Sequence, residues 1–255
     1  MNSIIYGPVP SWRLGRSLGI DLLPDVDKTC SFDCLYCQLG RTTSPTTERR
    51  DFVSIAKMSE ELEKVSGVAA DYVTFSGTGE PTIASNLGQA IELAKSILHV
   101  PVAVLTNSSL MPSGDVRHDL AKADVVVATA DAYNQELFRQ INRPVTGVLL
   151  SDILEGIKHF RREFNGKLCV EVMFVELNKG FAAEIAQIVR LLSPDEVQLN
   201  TPLRPCAVKP LTSSQMAAIK GNFGNLRNVV TVYEASRPEV KPLNLKETLR
   251  RRPKL

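Results

Sequence analysis

Residues 72–105 read YVTFSGTGEPTIASNLGQAIELAKSILHVPVAVL and contain one complete strand–helix–strand unit. The runs at 72–75 and 102–105 are short, apolar and β-branched, as is typical of buried strands. Between them the apolar residues recur at the spacing of one helical face, at Leu87, Ala90, Ile91, Ala94, Ile97 and Leu98. Ser85 is placed to cap this helix. The unit predicts two parallel strands joined by a right-handed helical crossover.

The same alternation extends in both directions from this unit. Further strands are predicted at 18–23, 125–128, 168–175, 197–199 and 228–233. Further helices are predicted at 54–66, 113–122, 134–141, 151–164, 180–192 and 212–222, with Ser54 and Ser151 as caps. Continuous apolar strands indicate a parallel sheet covered on both faces. About six such repeats fit either an open doubly wound sheet or a partial barrel of the α/β class.

Composition limits the class of protein. The chain has 255 residues, of which 44% are hydrophobic and 23% charged, as in ordinary globular domains. No apolar run reaches the roughly 18 residues needed to span a bilayer, and the N-terminus lacks the pattern of a secretory signal. We therefore predict a cytoplasmic protein without membrane contact. The five cysteines are then not expected to form a disulfide framework.

The charge of the chain is unevenly distributed. Seven basic and two acidic residues lie from Arg237 onward, so this segment has a net charge of +5. The rest of the chain has a net charge of −3, and the two sum to the total of +2. The sequence thus predicts a main domain over 1–235 and a basic tail over 236–255. A solvated, frayed terminus is the simplest interpretation of the tail. If the chain has a basic surface that binds nucleic acid, we expect it in this tail.

Three cysteines fall within eight residues, at Cys30, Cys34 and Cys37, in the pattern C-x₃-C-x₂-C. Soft thiolate ligands favour an iron–sulfur cluster. A four-iron cluster held by three cysteines leaves one iron open to a further ligand. The alternative is zinc, but structural zinc takes four ligands, and the other cysteines and histidines are remote in sequence.

The cysteine pattern, with the aromatic Tyr36 directly before the third cysteine, resembles the radical S-adenosylmethionine (radical SAM) superfamily. The resemblance implies that the three cysteines hold a [4Fe–4S] cluster and that S-adenosylmethionine chelates its open iron. One electron then cleaves the cofactor to methionine and a 5′-deoxyadenosyl radical. The segment Gly77-Thr78-Gly79-Glu80 is similar to the superfamily's glycine–glutamate motif, which binds the methionine amino group.

Longer segments resemble the wyosine (tRNA imidazoguanosine) synthase-related group of this superfamily, namely residues 6–21, 37–42, 139–144, 171–173 and 198–205. The resemblance implies a partial (βα)₆ TIM-like barrel. Three departures stand out. No cysteine precedes Cys30, so the second cluster of the wyosine-forming enzymes has no ligands, which argues against their tricyclic-base reaction. Trp12 stands where relatives usually have arginine. The tail resembles the start of a truncated accessory module.

Catalytic groups of barrels lie at the carboxyl ends of the strands. We expect the cofactor to meet Tyr36, Glu80, Asn107, Asp131 and Glu171. Asn107 is a candidate ligand of the cofactor ribose or carboxylate, and a turn-forming role is the alternative. Asp131 faces the cofactor or substrate, or caps a helix. Glu171 and Met173 alternate on one face of a strand, which is either the lumen or the outside.

The substrate side has four candidates. Asn200 follows a predicted strand, and Arg143 and Arg204 each lie beside a proline. Either arginine suits a carboxylate or a phosphate, or is an ordinary surface residue. Cys206 is a catalytic thiol, a ligand of an additional cluster or an idle loop residue. The catalytic group itself is not predicted.

The sequence therefore predicts a radical SAM enzyme with one [4Fe–4S] cluster and S-adenosylmethionine as cofactors. An RNA base is the favoured substrate, and a flavodoxin or ferredoxin is the expected reductant. tRNA or a protein is the expected macromolecular partner. Modification of a protein or peptide, including glycyl-radical activation, is the alternative reaction, and a small metabolite remains open. A non-catalytic electron-transfer module is the alternative from another class.

Overall fold

A computed structural model describes residues 3–24 and 27–253, so Lys254 of the basic tail lies outside the described residues. The strands are β1 (Ile5–Ser11), β2 (Gly15–Ile20), β3 (Thr29–Cys30), β4 (Ser44–Pro45), β5 (Tyr72–Phe75), β6 (Val102–Thr106), β7 (Val125–Thr129), β8 (Lys167–Met173), β9 (Glu196–Asn200) and β10 (Val229–Thr231). The α-helices are α1 (Ile55–Glu63), α2 (Leu87–Leu98), α3 (Gly114–Leu120), α4 (Gln135–Asn142), α5 (Leu150–Glu163), α6 (Ala182–Leu191), α7 (Ser213–Gly221) and α8 (Leu245–Arg251).

The main sheet has the strand order β1-β2-β5-β6-β7-β8-β9-β10. β1 is antiparallel to β2, and every later neighbour pairs in parallel. The order never reverses along the chain, whereas a doubly wound sheet reverses at a switch point. The sheet curls into a half-barrel, and β2 and β5 to β9 form six strand–helix units. The predicted partial (βα)₆ barrel is confirmed.

The helices cover the outer face of the sheet as their apolar stripes require. Of the apolar face expected for α2, Leu87, Ala90, Ile91 and Ala94 are buried together with Gly88, and Ile97 and Leu98 are half-buried. Ser54 caps α1, because its side chain accepts a hydrogen bond from the Lys57 amide at 3.2 Å. The other two predicted caps are wrong. Ser85 donates instead to Asp51 at 2.5 Å, and Ser151 lies inside α5, where it donates to Asp152.

Two elements at the ends of the described chain pack together and were not predicted. Strand β1 pairs with β2, and helix α8 lies against β1, where the Gly7 amide donates to Thr248 Oγ1 at 3.0 Å. Arg251 in α8 is only 2% exposed. The expectation of a solvated terminus is therefore wrong for residues 245–251. The division of the chain at residue 235 stays a prediction.

In the parts of the chain that the structure describes, no helix combines the length and the apolar character needed to cross a bilayer.

Candidate active site

A cavity of about 340 Å³ opens at the carboxyl ends of the parallel strands. It is bordered by the segment that carries the cysteines, residues 28–46, which we call the cysteine loop. The predicted site residues that line it are Cys30, Cys34, Tyr36, Cys37, Gly77, Gly79, Glu80, Asn107, Glu171, Asn200 and Arg204. Four predicted residues are not among its lining residues, namely Thr78, Asp131, Arg143 and Cys206.

The cysteine loop is held by the carboxyl end of α4. The Leu35 amide donates to the Ile141 carbonyl at 2.8 Å, and the Asp33 amide donates to the Asn142 carbonyl at 3.1 Å. These bonds satisfy helix-terminal carbonyls that have no partner within their own helix. The loop is therefore fixed to the barrel on the side of α4.

Two asparagine amides point at the cysteine sulfurs. Asn107 Nδ2 lies 3.5 Å from Cys30 Sγ, and Asn142 Nδ2 lies 3.7 Å from Cys34 Sγ. Burial raises the pKa of Cys30 to about 12, and the pKa of Cys34 is also raised by burial. The two side-chain amides are therefore placed to donate to the sulfurs, and they would donate to thiolates if the cysteines held a metal.

Asp131 holds the cysteine loop through Tyr36. The Tyr36 hydroxyl donates to Asp131 Oδ2, Asn142 Nδ2 donates to the same oxygen at 2.7 Å, and the Met173 amide donates to Oδ1 at 2.8 Å. Burial raises the pKa of Asp131 to about 6 despite these donors. Asp131 thus neither caps a helix nor lines the cavity, and it connects the cysteine loop to α4 and β8.

Close backbone approach explains both glycines of the Gly77–Glu80 turn. A Cβ at Gly79 would lie 1.8 Å from the Thr29 carbonyl oxygen, and one at Gly77 would lie 2.2 Å from Asp21 Cγ. A side chain at either position would therefore push the turn away from the cysteine loop or from β2.

Glu80 is buried at the cavity wall, with three donors on one carboxylate oxygen and one donor on the other. Oε1 accepts from the Thr82 amide at 3.1 Å and from the hydroxyls of Thr82 and Thr106, both at 2.7 Å. Oε2 accepts from the Asn107 amide at 2.7 Å. Burial raises the pKa of Glu80. Glu80 thus ties the turn after β5 to the turn after β6 while its carboxylate borders the cavity.

Thr78 faces away from the cavity and binds Asp21. Its amide and hydroxyl donate to Asp21 Oδ2 at 3.2 and 3.0 Å. Arg251 Nε donates to the same oxygen at 2.7 Å. Asp21 is 1% exposed, so its charge requires these partners. The tail helix is thereby coupled to the turn that carries Glu80.

Glu171 lies on the lumen face of β8 with Met173, and both line the cavity. Arg13 Nη2 lies 2.5 Å from Glu171 Oε2, and Asn200 Nδ2 donates to Glu171 Oε1 at 2.9 Å. The strand register brings together residues from the β1–β2 turn, β8 and β9. The carboxylate is thereby fixed over the lumen.

The structure does not bring Arg143 or Cys206 to the cavity. Arg143 is exposed at the end of α4, with a left-handed φ of 46°. The Cys206 thiol donates to the Val208 carbonyl at 3.1 Å, within its own loop.

Sequence reasoning missed several residues of the site, among them Arg13, Lys28, Asn142 and Arg252. Arg13 is next to Trp12, and Asn142 is next to Arg143, in segments that resemble the wyosine-related group. That resemblance is the sequence signal by which these two residues could have been found. Lys28 donates to the Gly40 carbonyl at 2.9 Å inside the cysteine loop. Arg252 gave no signal beyond the charge of the tail.

Among residues 3–24 and 27–253, no group of three or more His, Cys, Asp or Glu side chains is arranged to hold a metal ion. The three cysteines border the cavity as free thiols, and zinc stays the alternative to an iron–sulfur cluster.

Sequence comparison matches residues 28–191 to the model of the Radical SAM superfamily. A UPF0026 protein of Methanocaldococcus jannaschii is 38% identical over 224 residues, covering 85% of this chain and 69% of the relative. A UPF0026 protein of Synechocystis sp. is 40% identical over 208 residues, covering 81% and 77% respectively.

Solved structures show the same fold at low identity. Streptococcus suis SuiB bound to S-adenosylmethionine has a TM-score of 0.62 and 15% identity, covering 84% of this chain and 50% of SuiB. This chain thus spans half the length of SuiB. A TYW1 structure with a lysine–pyruvate adduct has a TM-score of 0.61 and 16% identity, covering 83% of this chain and 74% of TYW1.

Proposed function

Because the chain belongs to the radical SAM superfamily, whose members are enzymes, we propose that it binds one [4Fe–4S] cluster and reductively cleaves S-adenosylmethionine. Cys30, Cys34 and Cys37 would hold the cluster. When bound, the reduced cluster supplies the electron that splits the cofactor into methionine and a 5′-deoxyadenosyl radical. Because the chain is an enzyme, the electron-transfer alternative is set aside.

One observation carries the proposal. The three cysteines, the Gly77–Glu80 turn and Asn107 border one cavity at the carboxyl ends of the strands, where barrel enzymes place their chemistry. They come from the cysteine loop and from the turns after β5 and β6. An accidental trio of surface cysteines would not share a cavity with a buried glutamate.

The residues present fit the two groups. Three free thiols border the cavity, with amide donors within 3.5 and 3.7 Å of two of them, as a thiolate-held cluster requires. Glu80 offers a carboxylate for the methionine ammonium, and both of its oxygens are already oriented by neighbouring donors. Tyr36 and Asn107 complete the cofactor side of the cavity.

Anaerobic reconstitution tests the cofactor assignment. The protein should take up about four irons per chain and release 5′-deoxyadenosine from S-adenosylmethionine under dithionite. The variant Cys34→Ala should lose both properties. Cys169→Ala is the matched control, because Cys169 is buried in β8 outside the cavity. A Cys34→Ala protein that keeps iron and cleavage activity would refute the assignment.

We further propose that the substrate is an RNA base, as in the wyosine-related group that the sequence resembles. The cavity is bordered by six basic and two acidic residues, which suits a polyanionic partner. The proposal is limited to a reaction that the one cluster on Cys30, Cys34 and Cys37 would initiate.

Comparison of tRNA nucleosides tests the substrate class. Cells lacking the protein should lose one modified nucleoside, and purified protein should release 5′-deoxyadenosine faster when unmodified tRNA from these cells is added. Identical nucleoside profiles, together with stimulation by a polypeptide, would overturn the RNA assignment in favour of peptide modification. Flavodoxin and ferredoxin are the proposed electron donors, and either should replace dithionite in this assay.

A further inference from the structure

We propose that Arg204 and Arg252, with Arg13 beside them, form an oxyanion-binding subsite that takes a phosphate or carboxylate group of the substrate. The inference rests on the proposed function, because it assigns part of the cavity to the substrate. It also gives the basic tail a role in binding, since Arg252 follows directly after α8.

Within the described residues, the basic side chains of the cavity differ in how their charges are neutralised. Arg251 is paired with Asp21 and Glu247, at 2.7 and 2.6 Å. Arg13 is paired with Glu171 at 2.5 Å. Arg204 and Arg252 form no ion pair there, and Arg204 donates one long hydrogen bond, of 3.4 Å, to the Arg251 carbonyl.

Arg204 and Arg252 are each partly withdrawn from solvent and line the same cavity. Burial, together with the neighbouring charge of Arg252, lowers the pKa of Arg204 to about 10. Burial also lowers the pKa of Arg252, and the charges of Arg13 and Arg237 act in the same direction. Partly buried like charges repel one another in the free protein, so a bound anion would remove a cost that the fold carries without it.

The chemistry of the donors selects the ligand. A guanidinium is planar, stays charged and presents paired N–H groups that match the oxygens of phosphate and carboxylate. Arg13 lines the same cavity, where its guanidinium pairs with Glu171 and lies against Trp12. Arg204 follows β9, Arg252 follows α8, and Arg13 lies between β1 and β2. Three separate parts of the chain therefore bring these donors to the same cavity.

Trp12 provides a direct readout of this subsite. It is the single tryptophan of the chain, it lines the cavity, and the Arg13 guanidinium lies 4.4 Å from its ring centroid. Inorganic phosphate and, separately, acetate are titrated into the reconstituted protein holding saturating S-adenosylmethionine, at constant ionic strength. We expect a saturable change in Trp12 fluorescence. Tighter phosphate than acetate would identify a phosphate-bearing substrate, and the reverse order a carboxylate.

The double variant Arg204→Gln/Arg252→Gln should weaken binding of the preferred anion by at least about tenfold, because charge-assisted hydrogen bonds are lost. Arg190→Gln is the matched control, because Arg190 is exposed on α6 and outside the cavity. Absence of saturable binding to the wild-type protein, or equal binding by the double variant, would overturn the proposal.

A second measurement separates substrate from cofactor. If the dissociation constant for S-adenosylmethionine rises in the double variant by the same factor as that for the anion, the arginines hold the cofactor carboxylate and the proposal is wrong. We expect the anion to be affected about tenfold more. Release of 5′-deoxyadenosine by the wild type is measured separately. Absence of this release would contradict the proposed function, whereas absence of anion binding would contradict only the subsite.

Discussion

The carboxylate of Glu80 has two functions that depend on the same atoms. It accepts four hydrogen bonds that fix the turns after β5 and β6, and it borders the cavity where a cofactor ammonium would lie. A substitution at this position therefore affects both stability and binding, and the two effects are measured separately.

Glu80→Gln keeps the shape of the side chain but replaces one acceptor oxygen with an amide donor. We expect the free energy of unfolding to fall by about 1–3 kcal/mol, because at least one buried donor loses its acceptor. The dissociation constant for S-adenosylmethionine should rise at least about tenfold through loss of the charge. Urea denaturation and equilibrium dialysis measure the two effects. Glu155→Gln, exposed on α5, is the control. An unchanged cofactor affinity would contradict the role of Glu80.

Asp131 makes stability depend on pH. Its pKa of about 6 in the folded protein lies above the ordinary value of 3.8, since it is buried. Between these values the folded protein holds a proton that the unfolded chain has released. The free energy of unfolding therefore falls as pH rises from about 4 to about 6, by at most about 3 kcal/mol.

Asp131→Asn should remove this component of the pH profile. Urea denaturation at several pH values between 4 and 7 tests it, with Asp152→Asn, exposed on α5, as the control. If the variant keeps the slope of the wild type, another group is responsible.

The sequence predicted the site residues that belong to local patterns. It failed for residues whose role depends on a contact with a residue far away in the sequence. The cysteine spacing and the turn at Gly77 are local patterns, and their residues line the cavity. Asn142 contacts Cys34 across 108 residues, and Asp131 contacts Tyr36 across 95 residues. Only the register of the folded barrel brings such pairs together, so no spacing rule finds them.

Helix α8 depends on tertiary contacts more than on its own sequence. Its segment Leu245–Arg251 has seven residues and is shorter than isolated helices that are stable in water. Arg251 anchors it by pairing with Asp21 and Glu247 and by donating to the Ser3 carbonyl at 2.8 Å. The element is thus stabilised by one buried network that it shares with the Gly77–Glu80 turn.

Arg251→Gln should lower the free energy of unfolding by about 3–5 kcal/mol, because it leaves Asp21 buried without its cation. S-Adenosylmethionine binding should weaken as well, since Asp21 also holds Thr78. Urea denaturation and cofactor titration measure both changes. Lys246→Gln on the same helix is exposed and serves as the matched control. Equal behaviour of the two variants would show that α8 is not coupled to the turn.

The sequence missed β1 and α8 because neither carries the apolar pattern that is typical of its element type. β1 contains Gly7, Pro8 and Pro10, which interrupt the apolar pattern of a strand, and its edge position tolerates them. α8 lacks an apolar stripe because charged pairing replaces apolar burial. The β–α units were predicted because each carries its own apolar pattern, and only their bounds shifted by a few residues.

Across the whole molecule, order near the cavity is distributed between protein contacts and the proposed cluster. The sheet and its helices have an apolar core that includes Phe75, Phe160 and Phe174. The cysteine loop contributes Phe32, which packs on Phe138 of α4, and is tied to α4, Asn107 and Asp131 by hydrogen bonds. Local opening should therefore occur at this loop at a lower free energy than global unfolding.

Removal of iron by a chelator should thus increase hydrogen exchange chiefly in residues 28–46, with little change in α2 and α5. Hydrogen-exchange mass spectrometry on loaded and stripped protein measures this. S-Adenosylmethionine should add less protection from hydrogen exchange to the iron-free protein than to the loaded protein. The reason is that the iron that would bind the cofactor has been removed. A uniform increase in exchange over the whole chain would contradict this distribution of stability.

The pairing of Asp21 with Arg251 also sets an order of events during synthesis. The two residues are 230 positions apart, so the ribosome completes nearly all of the barrel before the guanidinium exists. At about 5–20 residues per second, the nascent chain holds Asp21 for roughly 10–50 s without this partner. Correct seating of the Gly77–Glu80 turn is therefore expected only after Arg251 has been synthesised.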